Sequence, residues 1–158
     1  MAMFPRTLDK KKKIDDLIRI TIDKVLVLRF GDASDPTCLN LDDLMAKSAR
    51  ALSRFATIAP VDMNSEDVQI YVKYFDISST PSTVFFFNAH HMKMDFGNAD
   101  HTKWIGSFAR KQDFIDVVEV CYSYLMVGHG ILKATLGVEK IERDTLPYKR
   151  VISGSHNT

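Results

Sequence analysis

Two cysteines stand in a chain of 158 residues, Cys38 and Cys121. That is too few for a disulfide framework and suits a reducing compartment. Neither sign of charge dominates: 21 basic residues face 20 acidic ones, for a net charge of +1. Such a balance excludes long-range attraction to nucleic acid or to an anionic membrane as the basis of binding. No apolar run reaches the roughly 18–20 residues of a membrane-spanning helix. The opening MAMFPRTLDKKKK has no apolar core, so no secretory leader is expected, and there is no Asn-x-Ser/Thr sequon. The seven glycines are scattered rather than gathered into a phosphate-cradling loop. No strand carries the aromatic and basic pattern of an RNA-recognition surface. His90 and His91 are adjacent, in an expected hairpin turn, and His101 is isolated. Without a third ligand at metal spacing, no zinc site and no other cofactor is expected.

What is present is a regular alternation of elements. Ile14, Leu17, Ile18, Thr21 and Ile22 recur at helical spacing, which predicts a helix over about Asp9 to Asp23. Phe4 to Leu8 before it suits a short edge strand. Val25 to Phe30 is apolar except for Arg29, the pattern of a strand covered on both faces. Leu41, Leu44, Met45, Ser48, Leu52, Phe55 and Ala56 form a long helical stripe. Thr57 to Met63 reads as a strand despite Pro60, which removes a ladder donor. Val68, Tyr71, Val72 and Phe75 predict a helix capped by Asn64 or Ser65. Ser82 to Asn88 is an apolar strand, and Met92, Met94 and Phe96 alternate with Lys93 and Asp95 in the next. A last helix is predicted from about Lys111 to Met126, with Cys121 on its apolar face. The tail ends in VISGSHNT, expected to be disordered.

Strand, helix, strand units require parallel pairing with right-handed crossovers, and the closing hairpin adds antiparallel strands. The result is an α/β domain with a mixed central sheet flanked by helices on both faces. This is the element order of the thioredoxin-like fold. The segments KVLVLRFGDASDPTC, YFDISSTPSTVFFFN and HMKMDFGNADHTK resemble the Dim-type spliceosomal thioredoxin-like family over roughly Lys10 to Met126. The resemblance implies a thioredoxin-like domain over residues 1–127 and a C-terminal extension over 128–158, partly disordered at its end.

The same comparison turns attention to Asp35-Pro36-Thr37-Cys38, which stands where a thioredoxin carries Cys-x-x-Cys. A dithiol enzyme needs an exposed, acidified attacking thiolate and a second thiol to resolve the mixed disulfide. Asp35 occupies the attacking position and cannot do that chemistry; it suits a helix N-cap, with Pro36 at the first helical position. Cys38 falls at the resolving position. Arg29 stands where thioredoxins bury a proton-shuttling acid. The loop is therefore read as vestigial and the protein as not an enzyme. Thr80-Pro81 resembles the cis-proline site that borders the thioredoxin substrate groove, with Ser82 after it. In another branch of the family a cysteine follows that proline and could face the helix cysteine; Ser82 removes it here.

The resemblance implies a non-catalytic protein-interaction module in pre-mRNA splicing and mRNA processing, in the nucleus, with a cell-cycle connection. It implies spliceosomal partners within the tri-snRNP, including a helical-repeat scaffold, with neither direct nucleic-acid contact nor membrane. Other readings stay open. A single-thiol redox protein or sensor would act through Cys38, set against the bland reading of a small core residue. A homodimer would bury exposed apolar residues. Lys10 to Lys13 suit a nuclear localisation patch, a nucleic-acid contact or, more commonly, a solvated helical turn. Trp104 and Phe108, in a stretch without clear periodicity, are candidate partner anchors, though core packing is the commoner fate of such residues.

Overall fold

A computed structural model describes residues 6–94, 101–127 and 141–144. The elements run α1 (Lys11–Ile20), β1 (Val25–Gly31), α2 (Pro36–Leu52), β2 (Ala56–Asp62), a 3-10 turn (Glu66–Val68), α3 (Gln69–Tyr74), β3 (Ser82–Phe87), β4 (His90–Met94), β5 (Trp104–Ile105), α4 (Lys111–Val127) and β6 (Ile141–Asp144). The sheet order is β2-β1-β3-β4-β6, with β5 paired to β3. β1 and β2 are parallel, while β3 runs antiparallel to β1, β4 and β5.

β1 is buried along its whole length, and its two faces feed two cores. Leu26, Leu28 and Phe30 pack with Ile14, Ile18, Tyr71 and Phe75 from α1 and the α3 region. Val25 and Val27 pack with Leu41, Met45, Phe114 and Val118 from α2 and α4. The period-2 alternation of a strand then carries Arg29 and Gly31 onto the α2 side of the sheet.

Pro60 is accommodated because β2 lies at the sheet rim. Its carbonyl accepts from the Leu8 amide (2.8 Å) and the Asp62 amide donates to Leu8 (2.9 Å), so these groups face away from β1. The missing proline N–H lies on that outer side and removes no β1–β2 bond. The expected edge strand at Phe4 to Leu8 is reduced, among the described residues, to a single bridge at Leu8.

Two local expectations need correction. The helix expected from Asn64 or Ser65 begins as a 3-10 turn, and the Ser65 hydroxyl donates to the Asp9 carbonyl (2.7 Å) instead of capping it. The hairpin turn is Asn88-Ala89, both at positive φ, so His90 and His91 belong to β4. His91 is buried, with Nε2 2.9 Å from the Thr102 carbonyl oxygen. Of the tail, only 141–144 lies within the described residues, antiparallel to β4; the expected disorder of VISGSHNT falls outside them. Cys121 is core, its sulfur 3.1 Å from that of Met94.

The lysine run is taken up locally. Lys11 pairs with Asp15 (2.7 Å), Lys12 with Asp16 (2.7 Å) and Lys13 with Asp9 (3.7 Å). Asp15 is buried and also accepts from the Tyr71 hydroxyl. Lys10, at the N-cap, offers no side-chain bond; Asp67, from the 3-10 turn, accepts from the Lys11 amide at 2.8 Å.

Candidate functional site

The residues at the ends of β1 and β3 converge on one loop cluster. Asp35 caps α2, its carboxylate accepting from the Cys38 amide at 3.2 Å, with Pro36 opening the helix. The preceding turn is held by Asp32, whose carboxylate accepts from the Ser34 amide (2.9 Å) and hydroxyl (2.8 Å). Those bonds hold the exposed Asp32 carboxyl below its ordinary range. The Asp32 amide donates to Thr80 Oγ1 at 3.3 Å, joining this turn to the loop before β3. The Thr80–Pro81 bond is cis. The Pro81 carbonyl accepts from the Gly106 amide at 2.8 Å, and Ser82, fully buried, donates to the Ser79 carbonyl at 2.7 Å. The fold thus brings together Asp35-Pro36-Thr37-Cys38, Thr80-Pro81-Ser82 and the segment after β5. Two apolar side chains stand out in this neighbourhood, Leu39 at 53% exposure and Ile105 at 46%. Neither is legible as a contact residue from the sequence, because an isolated aliphatic residue is ordinary on either side of an amphipathic element.

Beneath α2 the chemistry is a charge pair rather than a thiol pair. Arg29 is 3% exposed. Its Nε and Nη2 donate to the two oxygens of Asp42, at 2.7 and 2.8 Å, a bidentate geometry that fixes both side chains. Gly31 is dictated by the same crowding: a Cβ there would collide with the Arg29 guanidinium and the Cys38 sulfur. Cys38 is 0% exposed. Burial pushes its thiol up, the Arg29 charge opposing and the Asp42 and Asp35 carboxylates reinforcing the shift. Helix-end stabilisation of a thiolate does not prevail at this site, because loss of solvent outweighs it. Burial likewise pushes the Cys121 thiol up to about 12.

Phe108 corrects an expectation. It is 6% exposed and tilted against Phe114, so it fills the α2–α4 core and is no surface anchor. Trp104 is half-buried and stacks flat on Phe108, ring centroids 4.4 Å apart; its indole N–H donates to the Ser107 carbonyl at 3.2 Å. Trp104 is placed by the short β5 pairing with β3, and Phe108 follows in the connection to α4, where periodicity does not reveal which way a ring turns. Among the described residues, no group of three or more His, Cys, Asp or Glu side chains is placed to hold a metal ion.

The thioredoxin-like arrangement of these loops, without its dithiol, is matched by the description "Mitosis protein DIM1", a family model that covers residues 4–138. The chain belongs to the DIM1 family. Within it the chain is similar to thioredoxin-like protein 4B of Homo sapiens, 48% identical over 151 residues, covering 96% of this chain and 100% of that protein. It is also similar to spliceosomal protein DIB1 of Saccharomyces cerevisiae, 27% identical over 119 residues, covering 75% of this chain and 82% of that protein. Among solved structures, a thioredoxin mutant from Halobacterium salinarum superposes with a TM-score of 0.58 at 16% identity, over 73% of this chain and 88% of that one. At that identity the likeness establishes the DIM1-family chain as a thioredoxin fold and nothing more.

Proposed function

We propose that this chain is a non-catalytic thioredoxin-fold interaction module of pre-mRNA splicing, working in the nucleus with proteins of the spliceosomal tri-snRNP. The observation that carries the non-catalytic part is the pairing of Asp35 at the attacking position with a fully buried Cys38 behind it. A dithiol exchange has no exposed thiolate to begin from and no second thiol to complete it. The splicing part is supported by family membership and by relatives whose names carry the terms spliceosomal and mitosis.

The contact surface in this reading is the rim of the cis-proline loop, where Pro81 and Ser82 are buried and the half-buried Thr80 and the exposed Leu39 and Ile105 are left to meet a partner. Its partner is a protein, with a helical-repeat scaffold of the tri-snRNP the first choice and a second copy of this chain the next. The pairing of Lys11, Lys12 and Lys13 with carboxylates supports a surface that does not depend on phosphate contacts. Burial of Cys38 speaks against the single-thiol sensor.

Affinity capture from nuclear extract, with a Leu39→Asp, Ile105→Asp variant as the control, tests the reading. Tri-snRNP proteins should be retained by the wild-type chain and lost with the variant. Recovery of no splicing protein overturns the assignment, and insulin reduction that disappears in Cys38→Ser overturns the non-catalytic part.

A further inference from the structure

A cavity of about 350 Å³ opens at the ends of β1 and β2, lined by Thr7, Arg29, Gly31, Asp32, Ala33, Asp62 and Asn64. That is at the lower end of volumes that seat a ligand group. It exists because Gly31 contributes no side chain and because Arg29 lies down against α2 to meet Asp42. The lining combines two features. Asp32 and Asp62 both present carboxylates, and hydrogen bonds from Ser34 and Asn64 favour the ionised form of Asp32. Asp62 accepts from the Asn64 amide at 2.9 Å. The guanidinium of Arg29 is the second feature. Of its five N–H donors, two serve Asp42 and one makes a long contact of 3.5 Å to the Val61 carbonyl. Among the described residues, one N–H on each terminal nitrogen has no protein acceptor, on a side chain 3% exposed.

We infer that this cavity is a docking pocket for a basic side chain presented on a loop of a protein partner. The Arg29 charge is already matched by Asp42, so Asp32 and Asp62 leave the cavity negative and select a cation. The spare N–H groups of Arg29 select a carbonyl oxygen from the same partner segment. An arginine or lysine that enters side-chain-first, with a backbone carbonyl of its own segment following at the mouth, supplies both at once, and no free anion or neutral side chain does. The inference deepens the interaction-module reading and rests on it; the cavity adjoins the cis-proline loop, whose Thr80 Oγ1 accepts from the Asp32 amide.

The test titrates the isotope-labelled full chain with acetyl-Gly-Arg-Gly-amide, following the backbone amides of residues 31–33 and 62–64 and the Arg29 Nε–H by NMR. Saturable shifts at these positions are expected. The Gln and Glu versions of the peptide should bind at least tenfold more weakly, about 1.4 kcal/mol. Asp62→Asn should weaken the Arg peptide by a similar factor. Ala33→Trp, which plugs the mouth without changing charge, should abolish the shifts, and dispersed spectra confirm that both variants fold. Equal response to the Arg and Gln peptides overturns the pocket, as does preference for the Glu peptide. Shifts that survive Ala33→Trp reduce the effect to general surface attraction and overturn it too. Capture of tri-snRNP proteins is a separate readout, so failure of the pocket and failure of the interaction-module reading are distinguishable.

Discussion

Asp42 holds the carboxylate on which a nearly fully buried guanidinium depends. Breaking a buried pair from one side leaves the other charge desolvated and uncompensated. Asp42→Ala should therefore lower unfolding stability by about 3 kcal/mol in urea titration. Arg29→Lys should also destabilise, since an ammonium cannot make two parallel bonds. A loss under about 1 kcal/mol for Asp42→Ala would place the pair with ordinary surface bridges. Both thiols follow from the same packing. A thiol reagent at about pH 8 should modify neither Cys38 nor Cys121 in the folded chain and both in denaturant; rapid labelling of folded Cys38 contradicts the vestigial reading. Cys121 adds a pH dependence. Its ordinary value of 9.0 applies when unfolded and about 12 when folded. Between these values the unfolded chain releases a proton that the folded chain keeps, so stability falls as pH rises through that window. Cys121→Val should flatten that fall, and an unchanged slope in the variant rules out this thiol as its source. The vestigial loop was legible in the sequence because a cap and its helix are neighbours in the chain. The Arg29–Asp42 pair was not: nothing local to either residue names the other across the strand–helix interface.

At the scale of the element, α1 and α2 begin in opposite ways. α2 carries its own cap in Asp35. α1 begins at Lys10, which supplies no cap, and three lysines follow where the helix dipole disfavours cations. The defect is repaired from outside, by Asp67 on the Lys11 amide and by the carboxylates one turn along. Asp67→Ala should cost about 1 kcal/mol and raise amide exchange in the first turn of α1. Exchange unchanged there would mean the cap is idle. An α1 helix was legible from the period of Ile14, Leu17 and Ile18, but its cap was not, because it comes from a residue far along the chain. The β3–β4 turn shows a different kind of illegibility. Asn88 and Ala89 adopt φ of 48° and 66°, and alanine in that region carries no turn signal. Attention went to the histidines instead.

For the whole molecule, a mixed sheet covered by helices on both faces followed from alternating periods, because each apolar stripe has one sheet face to cover; the strand order itself did not. Phe108 escaped that logic; it lies in the connection between β5 and α4, which has no period to show. Among the described residues, those of both cores lie between Leu8 and Tyr122. A chain ending at Val127 should therefore fold cooperatively, with its melting temperature within about 5 °C of the full chain. Loss of the transition on truncation would show that the tail belongs to the folding unit. The placement of Pro60 has a consequence for how the sheet meets other chains. A sheet recruits a foreign strand through a row of free donors and acceptors along its rim. On β2 that row is interrupted by an imide nitrogen, and its neighbours are already engaged by Leu8. No incoming peptide can run a continuous ladder there, so this side is sealed against strand exchange and against the cross-β stacking that an open rim invites.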